Sequence, residues 1–261
     1  MRKFKKNQTK NLISDLDQEK DRYNKRAEQE LLRANNDMTF RIYHSEFISP
    51  IFNKYYELIY SIVKPETCVL EIAAGTGAHT KILIEIGADV TAQDISEISL
   101  EVLQQKFGKG IKTITSDMES IPLKQGVFDC IICCNVLSYG SPSKVNQQIF
   151  KLLKPGGNLI IMDSLNGNYI YRLNRFLHYL RGKRTKSTLK RIPDLNRISQ
   201  FSARFEYSSL NYFGSYFWIV IPLKFLLGRS IALQINRILE EIRPSGKDAF
   251  KFIYVGQKFI T

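Results

Sequence analysis

Histidine, cysteine and tryptophan are scarce in this chain of 261 residues, which carries three, four and one of them respectively. With so few histidines and no second Cys pair at zinc spacing, Cys130-x-x-Cys133 argues against a metal site, and the expected metal complement is none. Cys130, Cys133 and Cys134 crowd one apolar run, where adjacent side chains point to opposite faces, while Cys68 stands apart. That is no disulfide framework; the four read as small buried hydrophobes in a reducing compartment. Long apolar runs are also missing. The most apolar stretch, Tyr216 to Leu227, is broken by Pro222 and Lys224 and falls short of the ~20 residues that span a bilayer. It is expected to bury against the core, with contact to an anionic membrane surface as the other option. The basic residues near Met1 lead into Asn, Asp and Glu rather than an apolar segment, so no export is indicated. The expected location is the cytoplasm, with a peripheral seat at the inner face of the membrane left open. Acids are in deficit: Lys+Arg 38 against Asp+Glu 25 give +13, which attracts an anionic partner of some kind.

What is present is enough apolar sequence, 44%, for the core of one large α/β domain. The organising stretch is Val69-Leu70-Glu71-Ile72-Ala73-Ala74-Gly75-Thr76-Gly77, an aliphatic run that ends in small residues. It reads as a strand turning tightly into a helix whose first amides are open to a ligand. Before it, residues 12–34 carry a narrow apolar stripe including Leu16, Tyr23, Ala27 and Leu31, the pattern of a lid helix, and a second helix runs from about Glu46 to Val63. After it, Gly87 ends a helix, Ala88–Gln93 is a strand leading to Asp94, and Ser96 caps the helix Glu97–Phe107. Ile111–Ile114 is a strand reaching Asp117, Phe128–Cys134 a central strand, Val145–Leu153 a helix, Lys154–Gly157 a turn and Asn158–Asp163 another strand. Such alternation predicts a parallel sheet covered by helices, with ligand at the carboxyl ends of the strands. From Asn168 to Ser208 ten Lys and Arg residues face only Asp194 and Glu206, with aromatics interleaved. The predicted organisation is a helical lid segment at 1–63 and a domain over 64–261 with an insertion at about 166–203.

Val69–Gly77, Asp94-Ile95-Ser96, Asp117-Met118 with Ile121-Pro122-Leu123, Phe128-Asp129, Asn135-Val136-Leu137 and Lys154-Pro155-Gly156-Gly157 follow one another in an order that resembles the class I S-adenosylmethionine-dependent methyltransferases. The resemblance covers roughly residues 60–165 and returns at Phe252–Gly256, which looks like the family's final antiparallel strand. It implies a Rossmann-like, mostly parallel seven-stranded sheet with N-terminal lid helices and an inserted basic helical cap. The implied cofactor is S-adenosylmethionine, leaving as S-adenosylhomocysteine. Gly75 and Gly77 would let the backbone approach its methionine portion, because a Cβ there would strike the ligand. Glu71 would attract its ammonium or sulfonium end, and Asp94 would accept hydrogen bonds from both ribose hydroxyls. Ile95 and Met118 would lie on the adenine faces, Asp117 on the exocyclic amine and Asn135 beside the methyl donor, with Tyr23 of the lid also placed at the cofactor. Ala73 stands where the family usually has glycine, a change that costs little if φ is negative there.

The spacing of Gly75 and Asp94 also suits a nicotinamide dinucleotide, but Thr80 replaces the small third residue of that fingerprint. Candidate bases for a hydroxyl acceptor are His44 and His178, with Asp163 and Tyr139 behind them. His79, just inside the helix after the cradle, is expected to pack. The run Asn166–Ser187 looks like inserts of bacterial methyltransferases linked to surface-glycan or sugar biosynthesis. Arg172 and Arg175, three apart, suit a phosphate or carboxylate, and Tyr139 and neighbouring aromatics suit a sugar. The expected partner is therefore a small-molecule or glycan acceptor carrying negative charge. An RNA methyltransferase or RNA-binding protein, and a cofactor-binding subunit without catalysis, remain the alternatives. The sequence leaves the oligomeric state open.

Overall fold

A computed structural model of the protein describes residues 14–32, 46–108 and 110–260. In chain order its elements are α1 (Asp15–Leu32), α2 (Ser49–Ile62), β1 (Cys68–Ile72), α3 (Thr80–Ile86), β2 (Asp89–Asp94), α4 (Glu97–Phe107), β3 (Lys112–Thr115) and β4 (Phe128–Cys134). There follow α5 (Pro142–Leu152), β5 (Leu153–Ser164), α6 (Tyr169–Leu180), α7 (Lys186–Lys190), α8 (Leu195–Ser202), β6 (Tyr207–Phe213), α9 (Phe217–Leu227), α10 (Arg229–Ile242) and β7 (Lys251–Gln257). One seven-stranded sheet runs in the order β3-β2-β1-β4-β5-β7-β6. The pairs from β3 to β5 are parallel, and β7 is antiparallel to both of its neighbours. This is the doubly wound arrangement that the alternation of elements predicts, closed by the antiparallel strand.

The central strands bury both faces, as their unbroken apolar sequences require. Leu70, Ile72, Ile131 and Cys133 face one layer of core with Phe252 and Tyr254. Val69, Cys130, Ile132, Ile160 and Met162 face the other, where Ile51, Tyr55 and Ile59 of α2 cover them. All four cysteines are free, and Cys130 and Cys133 lie in these two layers. Ser96 caps α4 by accepting from the Ser99 amide at 3.1 Å, and Gly87 ends α3 with φ of 84°.

Two local readings differ from expectation. Lys154–Gly157 is the irregular start of β5 rather than a free turn: the register with β4 shifts between Phe128 and Cys130, and Gly156 takes up the irregularity at φ of 71°. The stretch Tyr216–Leu227 does not bury against the sheet. In α9 only Val220 is buried, because α2 and the aromatic cluster of Phe217, Trp218 and Phe250 take one side and leave the other to solvent. No helix among the described residues is long and apolar enough to cross a membrane.

Candidate active site

The carboxyl ends of β1, β2, β4 and β5 open into a cavity of about 820 Å³. Its floor is made by the residues that follow those strands: Ala73–Thr76, Asp94–Ile95, Asn135–Val136 and Asp163–Ser164. The helix α1 crosses one side, and the insertion after β5 crosses the other with Tyr171, Arg175 and Arg184. A crevice at this edge of an open sheet is where α/β proteins take ligands, because loops from adjacent strands diverge there.

At the cradle, Ala73 adopts φ of 56° and Gly75 φ of 56°. The condition under which alanine would cost little at position 73, a negative φ, is therefore not met. Its amide donates to Gln93 Oε1 at 3.2 Å and the Ala74 amide to the Gln93 carbonyl at 2.9 Å, and this tie to β2 draws the backbone into the left-handed region. Gly75 fits its expected place: a Cβ there would meet nothing within 4 Å, so the space in front of it is free for a ligand. Gly77 does not. At φ of 88°, its Cβ would sit 2.5 Å from the Phe107 ring, so the glycine serves packing of α4 and not approach of a ligand.

Asp94 ends β2 with its carboxylate in the cavity wall, accepting from the Gly75 amide at 2.9 Å and the Ser96 amide at 2.8 Å. Burial raises its pKa, and the amides of Ser96, Gly75 and Ile95 counter that rise. Ile95, Asp117, Met118 and Asn135 all line the cavity, and so does Tyr23 from α1. Asn135 sits at φ of 57°, a conformation that asparagine tolerates. Glu71 does not reach this wall. It is buried under the cradle, where Thr80 donates to it at 2.5 Å, and burial pushes its pKa up to about 8. It faces Thr80 rather than the cavity in which the ammonium or sulfonium is expected.

The cavity wall also carries basic groups. Arg175, Arg184, Arg191 and Lys251 line it, together with Tyr139 and Tyr171. Tyr139 is the hub: its hydroxyl accepts from Arg184 and, at 3.3 Å, from Arg22, its carbonyl from Arg191 at 3.2 Å, and its ring meets Tyr23 edge-on at 5.8 Å. Beneath it, the Asp163 carboxylate accepts from the amides of Val136, Leu137 and Ser164 at 2.8, 2.7 and 2.6 Å. Those bonds fix the loop that carries Asn135 and take up three of the carboxylate's roughly four acceptor sites.

Residues 70–161, the part of the chain that builds this floor, match the family described as a methyltransferase domain. Over those residues the chain is similar to a methyltransferase domain. Among relatives, it is 31% identical over 110 residues to a ubiquinone/menaquinone biosynthesis C-methyltransferase of Marinomonas, covering 39% of this chain and 44% of that protein. It is 26% identical to a demethylmenaquinone methyltransferase of Clavibacter sepedonicus, over 51% of this chain and 50% of the other. The chain thus spans about half the length of the curated relatives it matches. Among solved structures, the Haemonchus contortus phosphoethanolamine N-methyltransferase 2 complex with S-adenosyl-L-methionine has a TM-score of 0.58 at 17% identity, covering 84% of this chain and 55% of that one. Geranyl diphosphate C-methyltransferase of Streptomyces coelicolor has a TM-score of 0.56 at 12% identity, covering 81% and 80%.

The histidines expected as bases are not brought into the cavity among the described residues. His44 lies outside the described residues. His178 is on α6 but absent from the cavity wall, and burial together with Lys183, Arg175, Arg184 and Arg181 lowers its pKa. The histidine that does line the cavity is His79, which stacks on Phe52, pairs with the Tyr56 hydroxyl at 3.1 Å and has its pKa lowered to about 4 by burial. Of the two arginines expected at the substrate, Arg175 reaches the cavity, whereas Arg172 is exposed and lies over the Tyr169 ring. The two lie about 60° apart around α6, with Arg175 nearer the cavity-facing Tyr171 and Arg172 turned further toward solvent. Sequence reasoning missed Glu19, Arg184, Arg191 and Lys251. Topology is the signal for Lys251: β7 runs against its neighbours, so its first residue, paired with Ser164, lands at the ligand edge. No cluster of His, Cys, Asp or Glu suited to a metal occurs among the described residues.

Proposed function

We propose that the domain transfers the methyl group of S-adenosylmethionine to a hydroxyl of a small anionic acceptor, with a sugar, nucleotide sugar or glycan as the substrate class. The observation that carries this reading is the lining of the large cavity, which joins the cradle and Asp94 to the guanidinium and ammonium groups of Arg175, Arg184, Arg191 and Lys251. The cradle fits the cofactor: open space stands before Gly75, Asp94 presents a carboxylate for ribose hydroxyls, and Ile95 and Met118 offer apolar faces to a flat base. The volume of about 820 Å³ is ample for two ligands side by side, small-molecule sites running to ~1,000 Å³. When bound, the cofactor supplies an activated methyl on a sulfonium.

The chain's own residues then orient and enclose. Asp163 holds the Asn135 loop rigid through its amide bonds, so the donor end of the site is preorganised. Arg175 and Lys251 neutralise the acceptor's charge, and Tyr139 and Tyr171 give faces against which a sugar ring packs. In-line displacement on an activated carbon needs alignment above all, an effect worth up to ~7–11 kcal/mol. The acceptor hydroxyl must also lose its proton; His79, with its pKa lowered to about 4 by burial, and His178, off the cavity wall, are poorly suited to take it, which leaves His44 as the candidate base.

The test is calorimetry with S-adenosylmethionine, followed by turnover over nucleotide sugars and lipid-linked glycans. Asp94→Ala should weaken cofactor binding by about 1.5–3 kcal/mol, the range for a charged hydrogen bond. Absence of heat with the native chain would end the cofactor reading. Turnover confined to quinones or amines would keep the domain a methyltransferase and discard the sugar hydroxyl.

A further inference from the structure

The helix α6 carries its apolar residues on the wrong side for a soluble protein. Tyr169, Ile170, Leu173, Phe176, Leu177 and Leu180 recur at the spacing of one helical stripe, and all of them are exposed, Tyr169 at 81%. The inward face instead presents Tyr171 and Arg175 to the cavity. Next to it, α9 exposes Ile219, Phe225 at 80% and Leu226 at 77%. The two helices are neighbours, for the rings of Tyr171 and Trp218 lie 6.2 Å apart and both contact Phe250. An apolar area of this kind on adjacent helices marks an interaction surface.

Charge identifies the occupant. Between Ser164 and Pro193 there is no acid at all, against eight Lys and Arg residues, and Lys224 stands beside Phe225 in α9. A second copy of the chain would bring the same basic segments against each other, whereas an anionic surface neutralises them. Apolar stripe and flanking cations together describe a helix that lies in the plane of a membrane interface.

We propose that the apolar stripe of α6 and the exposed side of α9 dock on an anionic lipid bilayer, with Arg172, Arg181, Lys183 and Lys224 meeting the lipid phosphates. Because the other face of α6 lines the cavity, docking holds the acceptor end one helix diameter, ~10–12 Å, from the headgroups. This inference does not depend on the identity of the acceptor.

The experiment is co-sedimentation of the full chain with phosphatidylcholine vesicles, with and without phosphatidylglycerol, at low and physiological salt. The chain should sediment with the anionic vesicles and much less with phosphatidylcholine alone. The pairs Leu173→Ser with Leu177→Ser, and Phe225→Ser with Leu226→Ser, should each lower partitioning by about tenfold, since interfacial affinity scales with buried apolar area. Their thermal unfolding midpoints should stay within a few degrees of the native chain, as expected for exposed positions. No sedimentation of the native chain with anionic vesicles overturns the proposal. So does sedimentation that salt abolishes but both double variants retain, which is charge alone, or a dimer seen by analytical centrifugation that the variants dissolve.

Discussion

At the scale of single residues, the cradle stores an unusual conformation in Ala73. An alanine at φ of 56° costs roughly 1–2 kcal/mol that a glycine would not, and the two hydrogen bonds to Gln93 offset it. Glu71 below it is a second stored cost. Its proton, released near 4.5 in the unfolded chain, is held in the fold until about pH 8. The folded state thus binds more protons between those values, and this group's contribution to stability falls as pH rises through that window, by up to ~1.4 kcal/mol per pH unit. His79, with its pKa lowered to about 4 from 6.5, acts below pH 6.5 and in the opposite sense, so it is silent above pH 7. Denaturant unfolding at pH 7 and 8 should show the native chain losing stability over that step and Glu71→Gln, which keeps a partner for Thr80, losing far less. Equal slopes in the two proteins would mean that Glu71 is already ionised in the fold. Neither residue's state was legible in the sequence, because φ at Ala73 and the proton on Glu71 depend on Gln93 and Thr80, which are distant in the chain or on the next turn of structure.

At the scale of elements, α1 is held to the site by polar contacts more than by burial. Asn24 meets Ser96 at 2.6 Å and Glu30 accepts from Thr76 at 3.0 Å, while only Glu19 and Ala27 of the helix are buried. Little apolar area is lost when such a helix swings out, so its opening free energy lies at the low end for this molecule. Amide hydrogen exchange should therefore find α1 faster than β1 and β4, and slowed by S-adenosylhomocysteine. Protection of α1 equal to that of the central strands without ligand would make it a fixed wall instead of a gate. The narrow stripe of Tyr23 and Ala27 predicted the helix and its role as a cover. The insertion was legible only as basic: its helices were expected, but which arginine enters the cavity is set by the rotation of α6 that Tyr171 imposes when it packs on Phe250 and Trp218.

At the scale of the whole molecule, a charge of +13 is compatible with several anionic partners, and the fold distributes that charge in a way that separates them. Arg184 and Arg191 turn inward to Tyr139, so part of the basic excess is spent inside the cavity rather than along an open groove with stacking rings. Single-stranded RNA should accordingly bind weakly, with no saturable complex at physiological salt by fluorescence anisotropy. A tight complex whose affinity falls steeply with salt would restore the RNA reading over the small acceptor.

By itself the sequence determined the sheet, its parallel order and the ligand edge, because apolar runs, glycine turns and a strand-end acid are local patterns whose meaning survives without a partner. The turn after the first strand placed Gly75, and the end of the next strand Asp94, at that edge, and both line the cavity. The tertiary structure decided everything that depends on what lies opposite. Gly77 faces Phe107, Arg172 and His178 stay out of the cavity, Lys251 arrives from the far end of the chain, and α9 turns its apolar side outward. Those outcomes rest on contacts between segments far apart in the chain, and no local pattern records which side of a helix the rest of the protein will cover.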